Sequence, residues 1–193
     1  MFTGIVQEIG TVVQTQRRDG LLRLIVQAPR TAARVQPMES IAINGVCLSA
    51  VSVRPSSMTF EVVGETQQVT TLGKLRAGSR VNVEPSLTLT DRLNGHVVLG
   101  HVDGTAAVAQ RRELPRELLL RFRVGSGLRR WLVPKGPVAI DGVSLTVGRE
   151  LTPTSFVIHL IPETLRRTTL RSLRAGDRVN VEVDYLAKLV SAR

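Results

Sequence analysis

The stretch LRAGSRVNVE at residues 75–84 returns almost unchanged as LRAGDRVNVE at residues 173–182. Nine of the ten residues are identical between the two copies, which are separated by 98 positions. Polar and apolar residues alternate over the last five positions of each copy, which is the period of a half-buried β-strand. The duplicated stretch therefore predicts a strand-based unit that is present twice in one chain.

Two other blocks recur in the same order along the chain. INGVCLS at 43–49 matches IDGVSLT at 140–146, and GIV at 4–6 matches GHV at 100–102. The Asn-Gly and Asp-Gly pairs in the longer block are typical of tight turns between strands. Because three blocks keep their order while their separation drifts by single residues, we infer two homologous domains.

The repeats set the expected domain boundaries. We expect an N-terminal barrel at 1–96, a C-terminal barrel at 97–187 and a short C-terminal tail at 188–193. Many short strands at near-even spacing predict an all-β protein with a small antiparallel barrel in each domain, because closure removes exposed sheet edges.

Helical segments are predicted to be few and short. Thr66–Leu75 and Thr164–Leu173 each suit one short helix, at equivalent places in the two copies. Tyr185–Val190 has apolar residues on one face and predicts a short terminal helix.

The composition argues against several classes of protein. No stretch approaches the roughly 18 apolar residues that a membrane span requires, and polar residues interrupt the first 20 positions, where a signal peptide needs an apolar core. The single cysteine, Cys47, cannot form an intrachain disulfide, so we expect a reducing, cytoplasmic location. The net charge of +10 raises the question of nucleic acid, but aromatic residues are only 3% and offer no surface for stacking bases.

The two copies differ at polar positions inside their shared motifs. The second copy carries most of the ionisable groups, although the scaffold is kept. This pattern predicts two related pockets with different chemical tasks. The differing pairs, first copy before second, are Cys47 and Ser144, Ile5 and His101, Asn44 and Asp141, Met38 and Lys135, and Ser86 and Asp184.

The motifs together resemble riboflavin synthase over nearly the whole chain. The resemblance implies two six-stranded antiparallel Greek-key barrels that bind lumazine. It also implies a homotrimer in which the first barrel of one subunit meets the second barrel of a neighbour. The motifs that carry it are MFTGIV at 1–6, NGVCL at 44–48, GH at 95–96, GHVDG at 100–104, IDGVSLT at 140–146 and IPETL at 161–165.

The sequence departs from the family at its C-terminal end and at the pocket mouth. The family's C-terminal helix is usually longer than the six to nine residues available from Tyr185. Isolated helices shorter than about 12 residues are marginal in water, so we expect a weaker trimer or one made mainly through barrel contacts. Leu99 replaces a small hydroxyl residue that is common in the family, and Ser49 replaces a threonine.

The reaction implied by the resemblance is a dismutation, the last step of riboflavin biosynthesis. One molecule of 6,7-dimethyl-8-ribityllumazine donates a four-carbon unit to a second one, giving riboflavin and 5-amino-6-(D-ribitylamino)uracil. No metal or other cofactor is implied. A reaction that uses two copies of one substrate in unequal roles suits two copies of one pocket with unequal groups. Holding the two rings face to face supplies much of the rate through proximity.

Five residues are catalytic candidates on the strength of the resemblance. His101 suits acid–base work because imidazole titrates near neutral pH, although a packed histidine is the alternative. Cys47 is a nucleophile, a polar pocket group or a small buried residue. Ser144 either hydrogen-bonds the substrate or is satisfied by the backbone, and Lys135 and Asp184 bring charge beside the pocket.

The resemblance also implies a substrate-binding set from both copies. Phe2 is expected to cover a ring, Asp141 is either functional or simply the turn aspartate, and His96 has a weaker claim. Glu65-Thr66 and Glu163-Thr164 either contact ribityl hydroxyls or open a helix, with threonine as the cap. The binding set is Gly4, Ile5, Val6, Cys47, Leu48, Ser49, Glu61, Val62, Val63, Gly64, Glu65, Thr66, Gly100, His101, Val102, Lys135, Ser144, Leu145, Thr146, His159, Leu160, Ile161, Pro162, Glu163 and Thr164.

Two other functions stay open at the level of sequence. Antenna proteins that bind lumazine without turnover share the duplicated pattern but tend to lose the reactive residues. A basic nucleic-acid-binding barrel is suggested by the charge alone. The resemblance further suggests lumazine synthase as a partner protein.

Overall fold

The computed structural model describes residues 1–191, and most of them form β-strands. Residues 192 and 193 of the expected tail at 188–193 lie outside this described part. Six strands close into a first barrel in the order β1-β2-β5-β4-β3-β6, with β6 paired to β1. These strands are β1 Glu8–Arg18, β2 Leu21–Gln27, β3 Ser40–Ile43, β4 Val46–Arg54, β5 Ser57–Val62 and β6 Arg80–Pro85.

A second barrel repeats the first strand for strand. The same ring order, β7-β8-β11-β10-β9-β12, closes it with antiparallel pairs throughout. The register of the first hairpin shifts after Val12 in one barrel and after the equivalent Val108 in the other. The prediction of two six-stranded barrels is confirmed. The strands are β7 Gly104–Leu114, β8 Glu117–Arg123, β9 Pro137–Ile140, β10 Val143–Leu151, β11 Ser155–Leu160 and β12 Arg178–Val183.

Each barrel encloses a core of its own. Leu24, Ile41 and Phe60 are fully buried inside the first barrel. Phe122 and Phe156 stack inside the second, with ring centroids 5.3 Å apart. Burying one large apolar side chain is worth about 1.5–3 kcal/mol, so each interior is a substantial source of stability.

The helices are short, and the predicted helices at Thr66–Leu75 and Thr164–Leu173 are wrong in their extent. Each is a helix of one and a half turns followed by a separate 3₁₀ turn. The break comes at Thr70, whose hydroxyl donates to Thr66 O and accepts from Leu72 N while its backbone is extended. The helices are α1 Pro29–Ala32, α2 Gly64–Val69, α3 Ser126–Arg129, α4 Pro162–Arg167 and α5 Tyr185–Ser191, and the 3₁₀ turns are Thr71–Lys74 and Thr169–Ser172.

The threonines of the Glu-Thr pairs do not cap these helices. Helix α2 starts after Val63 and helix α4 after Ile161, and neither residue provides a side-chain cap. Glu65 and Glu163 lie in the first turn, where a negative charge is favourable. Within residues 1–191, no helix is both long enough and apolar enough to cross a membrane.

The two predicted tight turns meet where the barrels contact each other. Asn44-Gly45 and Asp141-Gly142 both have positive φ angles, of 45° and 77° and of 44° and 76°, as a type I′ hairpin turn requires. A Cβ on Gly45 would lie 2.6 Å from the backbone nitrogen of Gly142. The two turns therefore pack backbone against backbone.

Two asparagines join the barrels through equivalent hydrogen bonds. Asn82 Nδ2 donates to Asp141 O and Asn180 Nδ2 donates to Asn44 O, both at 2.9 Å. Asn82 Oδ1 accepts from Thr169 N at 2.8 Å, and Asn180 Oδ1 accepts from Thr71 N at 2.7 Å. Because every one of these bonds crosses between the barrels, they fix the relative position of the two halves.

Candidate functional site

The segment that precedes each barrel crosses over to the other barrel. Gly4 O accepts a hydrogen bond from Ser144 N at 2.7 Å, and Gly100 O accepts one from Cys47 N at 2.9 Å. Val6 accordingly packs in the core of the second barrel. Each candidate site therefore combines one segment from each repeat.

Glycine is required at both crossing points. A Cβ on Gly4 would lie 2.6 Å from the Cβ of Ser144, and a Cβ on Gly100 would lie 2.5 Å from the Cβ of Cys47. The φ angles of 75° and 79° also lie in the left-handed region that glycine favours. The close approach explains why both copies of the GxV motif begin with glycine.

Two buried carboxylates hold the crossing segments. Glu84 accepts from Thr3 N at 2.7 Å, from Thr3 Oγ1 at 2.8 Å and from Gly4 N at 3.1 Å. Glu182 accepts from Leu99 N at 2.7 Å and from Gly100 N at 3.0 Å. Burial raises the pKa of both carboxyls, although the hydrogen bonds they accept oppose that shift.

The site on the second barrel is assembled from three segments. Gly4–Val6 lies against Ser144 at the start of β10. The pairing of β10 with β11 through Val147 and Ile158 brings the following segment, His159–Thr164, beside Ser144–Thr146. Three groups of predicted binding residues therefore meet on this barrel.

The equivalent site on the first barrel is assembled in the same way. Gly100–Val102 lies against Cys47, and Val102 packs on the first core. The pairing of β4 with β5 through Ala50 and Phe60 brings Glu61–Thr66 beside Cys47–Ser49. The exposed His101 and the half-buried Cys47, predicted as catalytic, thus belong to the same site.

Comparison with known proteins identifies the family. The model of the lumazine binding domain matches twice, over residues 3–86 and 99–184. The chain is 42% identical to riboflavin synthase of Mycobacterium bovis, over 98% of this chain and 96% of the relative. It is 39% identical to riboflavin synthase of Escherichia coli K12, over 95% of this chain and 87% of the relative.

The chain belongs to the riboflavin synthase family. Because its relatives are riboflavin synthases, the chain belongs to a family of enzymes. Crystal structures of LumP show the same fold. The complex with riboflavin has a TM-score of 0.89 at 24% identity, covering 95% of this chain and all of LumP. The complex with 6,7-dimethyl-8-(1'-D-ribityl) lumazine has a TM-score of 0.86 at 25% identity, covering 95% and 99%.

His96, which has a weaker claim than His101 at the level of sequence, contacts Ser144 in this member of the riboflavin synthase family. Its Nδ1 lies 2.7 Å from Ser144 Oγ. Burial holds the pKa of His96 below its ordinary value, and the charge of Asp184 opposes that shift. The Gly95-His96 motif preceding Gly100-His101 was the available signal, but its contact with Ser144 spans 48 positions and has no local signature.

The other charged candidates lie at the rim of the second barrel. Asp184 Oδ1 accepts from Leu186 N at the start of α5. Lys135 is exposed, and its backbone N–H donates to Val147 O at 2.9 Å. Glu163 hydrogen-bonds Arg166 and Arg167, which lower its pKa, and His159 Nδ1 lies 3.1 Å from Glu117 Oε2.

Phe2 and Asp141 are both buried where the two barrels meet. The expectation that Phe2 covers a ring is wrong for this structure, because its side chain is 0% exposed and packs with Ala42, Val98 and Ala139 between the barrels. Asp141 is buried at the contact of the two turns, where Oδ1 accepts from Asn180 N at 2.8 Å. Of the two readings left open for Asp141, the geometry supports the structural one.

One cavity adjoins the crossing point at Gly4, and a second lies away from both crossing points. The first, of about 340 Å³, is lined by Thr3, Ile5, Arg30 and Arg34, among others. The other, of about 430 Å³, lies between Arg80 and the second 3₁₀ turn. Cys47, Ser144 and His101 line neither cavity. Among residues 1–191, no group of three or more His, Cys, Asp or Glu side chains is arranged to hold a metal ion.

Proposed function

We propose that this chain is a riboflavin synthase, a transferase that dismutates two molecules of 6,7-dimethyl-8-ribityllumazine into riboflavin and 5-amino-6-(D-ribitylamino)uracil. The observation that carries the proposal is the pair of crossed sites with equal scaffolds and unequal reactive groups. Cys47 and His101 belong to one site, while Ser144 and His96 belong to the other. Relatives at 39–42% identity are riboflavin synthases.

The proposed roles follow from the chemistry of the reaction. One lumazine loses a proton from its 7-methyl group, and the carbanion spreads its charge into the ring. The exposed imidazole of His101 is our candidate for acid–base work on this step. Ser144 contacts the other ring, and Lys135 and Asp184 place charge at the rim of that site. The remaining predicted binding residues hold the two rings and ribityl chains.

Incubation with dimethylribityllumazine tests this function. We expect the yellow absorbance of riboflavin to appear in proportion to the amount of protein, with one riboflavin formed per two lumazines consumed. Binding of the lumazine without any flavin formation would overturn the assignment and favour an antenna-type protein instead. That second candidate is supported by the likeness to LumP, whose crystal structures contain riboflavin and a lumazine.

A variant of Cys47 separates the two roles proposed for the thiol. Cys47→Ser keeps a polar group at the position that Ser144 occupies in the other copy. Near-normal kcat in this variant means that the thiol lines the site without attacking carbon. A loss of more than about a hundredfold, about 2.7 kcal/mol of transition-state stabilisation, with lumazine binding retained would support covalent attack.

We also propose a homotrimer in which the first barrel of one subunit meets the second barrel of a neighbour. Helix α5 exposes Tyr185, Leu186 and Leu189, a surface that suits contact with another subunit. Sedimentation showing only monomer at micromolar concentration would contradict the shared-site arrangement. A cytoplasmic location and association with lumazine synthase complete the proposal.

A further inference from the structure

His96 and Ser144 form a side-chain pair at the crossing point on the second barrel. The two atoms that meet are His96 Nδ1 and Ser144 Oγ, 2.7 Å apart. The backbone holds the histidine in place, because His96 N donates to Thr3 O at 3.2 Å. A Cβ on the preceding Gly95 would lie 2.1 Å from that same oxygen and 2.9 Å from the Cβ of Ser144. The imidazole therefore stays beside the hydroxyl.

The equivalent group of the first barrel has a different environment. Cys47 packs against the small apolar cluster of Phe2, Ala42, Val98 and Ala139. Ser144 instead has a titratable ring within hydrogen-bond distance. Protonation of His96 can therefore change the hydrogen bonding of Ser144 in the second barrel. Cys47, at the equivalent position of the first barrel, packs against apolar residues instead.

Burial and the nearby charge act in opposite directions on the protonation of His96. Burial disfavours the imidazolium and holds the pKa of His96 below its ordinary value, so the ring is neutral at pH 7. The charged group that acts on the ring is Asp184, at the junction of β12 and α5. Its hydrogen-bonded neighbours, Thr3 and Ser144, carry no charge. The negative charge of Asp184 favours the protonated ring and so opposes the effect of burial. In the neutral ring, a proton on Nε2 leaves Nδ1 as a hydrogen-bond acceptor.

We propose that His96 is a positioning residue that sets whether the Ser144 hydroxyl accepts or donates a hydrogen bond toward the bound ring. With His96 neutral, Ser144 O–H donates to Nδ1, and its lone pairs face the site. With His96 protonated, Nδ1–H donates to Ser144 Oγ, and the hydroxyl proton turns toward the site. No bond other than these hydrogen bonds is made or broken.

The inference rests on the proposed function, because it concerns the same ligand-binding site. A pyrimidinedione ring has an N–H that donates and carbonyl oxygens that accept. An N–H of the ring pairs with Ser144 only while the hydroxyl presents its lone pairs. Protonation of His96 then sets two donors against each other, which costs about tenfold in affinity.

Nuclear magnetic resonance of the free protein tests the switch without any ligand. The chain has three histidines, so ¹⁵N labelling of histidine gives three ring spectra, and His96→Gln assigns one of them. We expect His96 to carry its neutral-form proton on Nε2 and to have a pKa below the ordinary value of an imidazole. Asp184→Asn should move its pKa further down. A neutral ring with its proton on Nδ1 would overturn the proposal.

Binding of riboflavin, which is not turned over, tests the consequence at the site. The measurement is made in a His101→Gln background, so that the imidazole of the first barrel does not contribute. We expect the affinity of one class of site to fall about tenfold as the pH is lowered through the His96 titration. The step should vanish in both His96→Gln and Ser144→Ala. Circular dichroism establishes that each variant is folded.

Two results of the binding experiment would also overturn the proposal. A pH step that persists in Ser144→Ala would mean that the hydroxyl does not transmit the titration, and a flat profile in the His101→Gln parent would mean that there is no switch. Failure of the proposed function is distinguishable from both results. In that case the unmodified protein forms no flavin from lumazine, while the histidine spectra still report the ring proton of His96.

Discussion

The Asn44-Gly45 turn of the first barrel and the Asp141-Gly142 turn of the second accept equivalent hydrogen bonds. The acceptor is an amide oxygen in the first turn and a carboxyl oxygen in the second. Asn44 Oδ1 accepts from Asn82 N at 2.7 Å, and Asp141 Oδ1 accepts from Asn180 N at 2.8 Å. Both side chains are nearly inaccessible to water. The duplicated scaffold thus preserves geometry at each position, while the charge at that position is free to differ between copies.

The same contrast extends to the reactive groups. Gly4 and Gly100 cross in the same way, but one leads to Ile5 beside Ser144 and the other leads to His101 beside Cys47. A single fold therefore presents an imidazole in one site where the other presents an isoleucine. This asymmetry is what an unequal reaction between two identical substrates requires.

Removing the exposed imidazole should have the largest effect on this contrast. His101→Ala is expected to lower kcat by about 10²–10⁴-fold, the usual contribution of a positioned acid or base, without changing the melting temperature. Steady-state kinetics of riboflavin formation measure the effect. An unchanged kcat would remove His101 from the mechanism and leave the asymmetry without a catalytic meaning.

Exchanging the turn residues should change how stability depends on pH. Burial raises the pKa of Asp141 from 3.8 to about 7, so the folded protein keeps a proton that the unfolded chain releases. Stability should therefore fall as the pH rises from 3.8 to about 7 and stay low above it. Asp141→Asn should remove this loss, a gain of up to about 4 kcal/mol at pH 8.

The matched variant is Asn44→Asp, which places a second buried carboxyl in the first barrel. It should add the pH dependence that Asp141→Asn removes. Urea unfolding at pH 5 and pH 8 measures both variants. Equal stability of Asp141→Asn and the parent at pH 8 would show that the Asp141 carboxylate is not destabilising in its buried position.

Glu84 and Glu182, which hold the two crossing segments, should differ in how much each contributes to the free energy of unfolding. Glu84→Gln should cost about 2–3 kcal/mol and Glu182→Gln about 1–2 kcal/mol, because an unsatisfied buried group costs about 1–3 kcal/mol. Glu84 accepts three hydrogen bonds and Glu182 accepts two. Denaturant titration of the two variants gives the order. A larger loss for Glu182→Gln would contradict it.

The smallest effect is expected at a strained position that both copies share. Met38 has a φ of 73° and the equivalent Lys135 has a φ of 66°. Glycine tolerates this region without the cost of about 1 kcal/mol that other residues incur. Met38→Gly and Lys135→Gly should therefore stabilise the fold by similar amounts, measured by thermal unfolding. Only Lys135→Gly should reduce turnover, and equal turnover in both would exclude the lysine from the site.

The local pattern of the sequence predicts much of the fold. The alternation over residues 178–182 predicts a strand, and β12 covers Arg178–Val183; the Asn-Gly and Asp-Gly turns form as their residue types require. The helix break at Thr70 was missed because its hydroxyl makes two local bonds that the apolar spacing does not encode. Short helices in particular depend on such side-chain contacts.

The site is less accessible to sequence reasoning, because its contacts are long-range. The resemblance selected Ser144 and the GxV motifs separately, but it did not show that Gly4 lies on Ser144. The burial of Phe2 and the pairing of His96 with Ser144 depend on the same crossing. No periodicity reports contacts of this kind, because they join residues that are tens of positions apart.

The segments that precede each barrel and cross to the other one link the substitutions that the two duplicated halves can accept. Each repeat contributes a backbone segment to the site of the other repeat. A substitution at Cys47 or Ser144 therefore has to fit against Gly100 or Gly4, which come from the opposite repeat. A substitution that reshapes one site also has to fit a backbone segment from the other repeat. Between β6 and β7, insertions should be tolerated at residues 88–93 but not at residues 95–100, where the chain passes between the barrels.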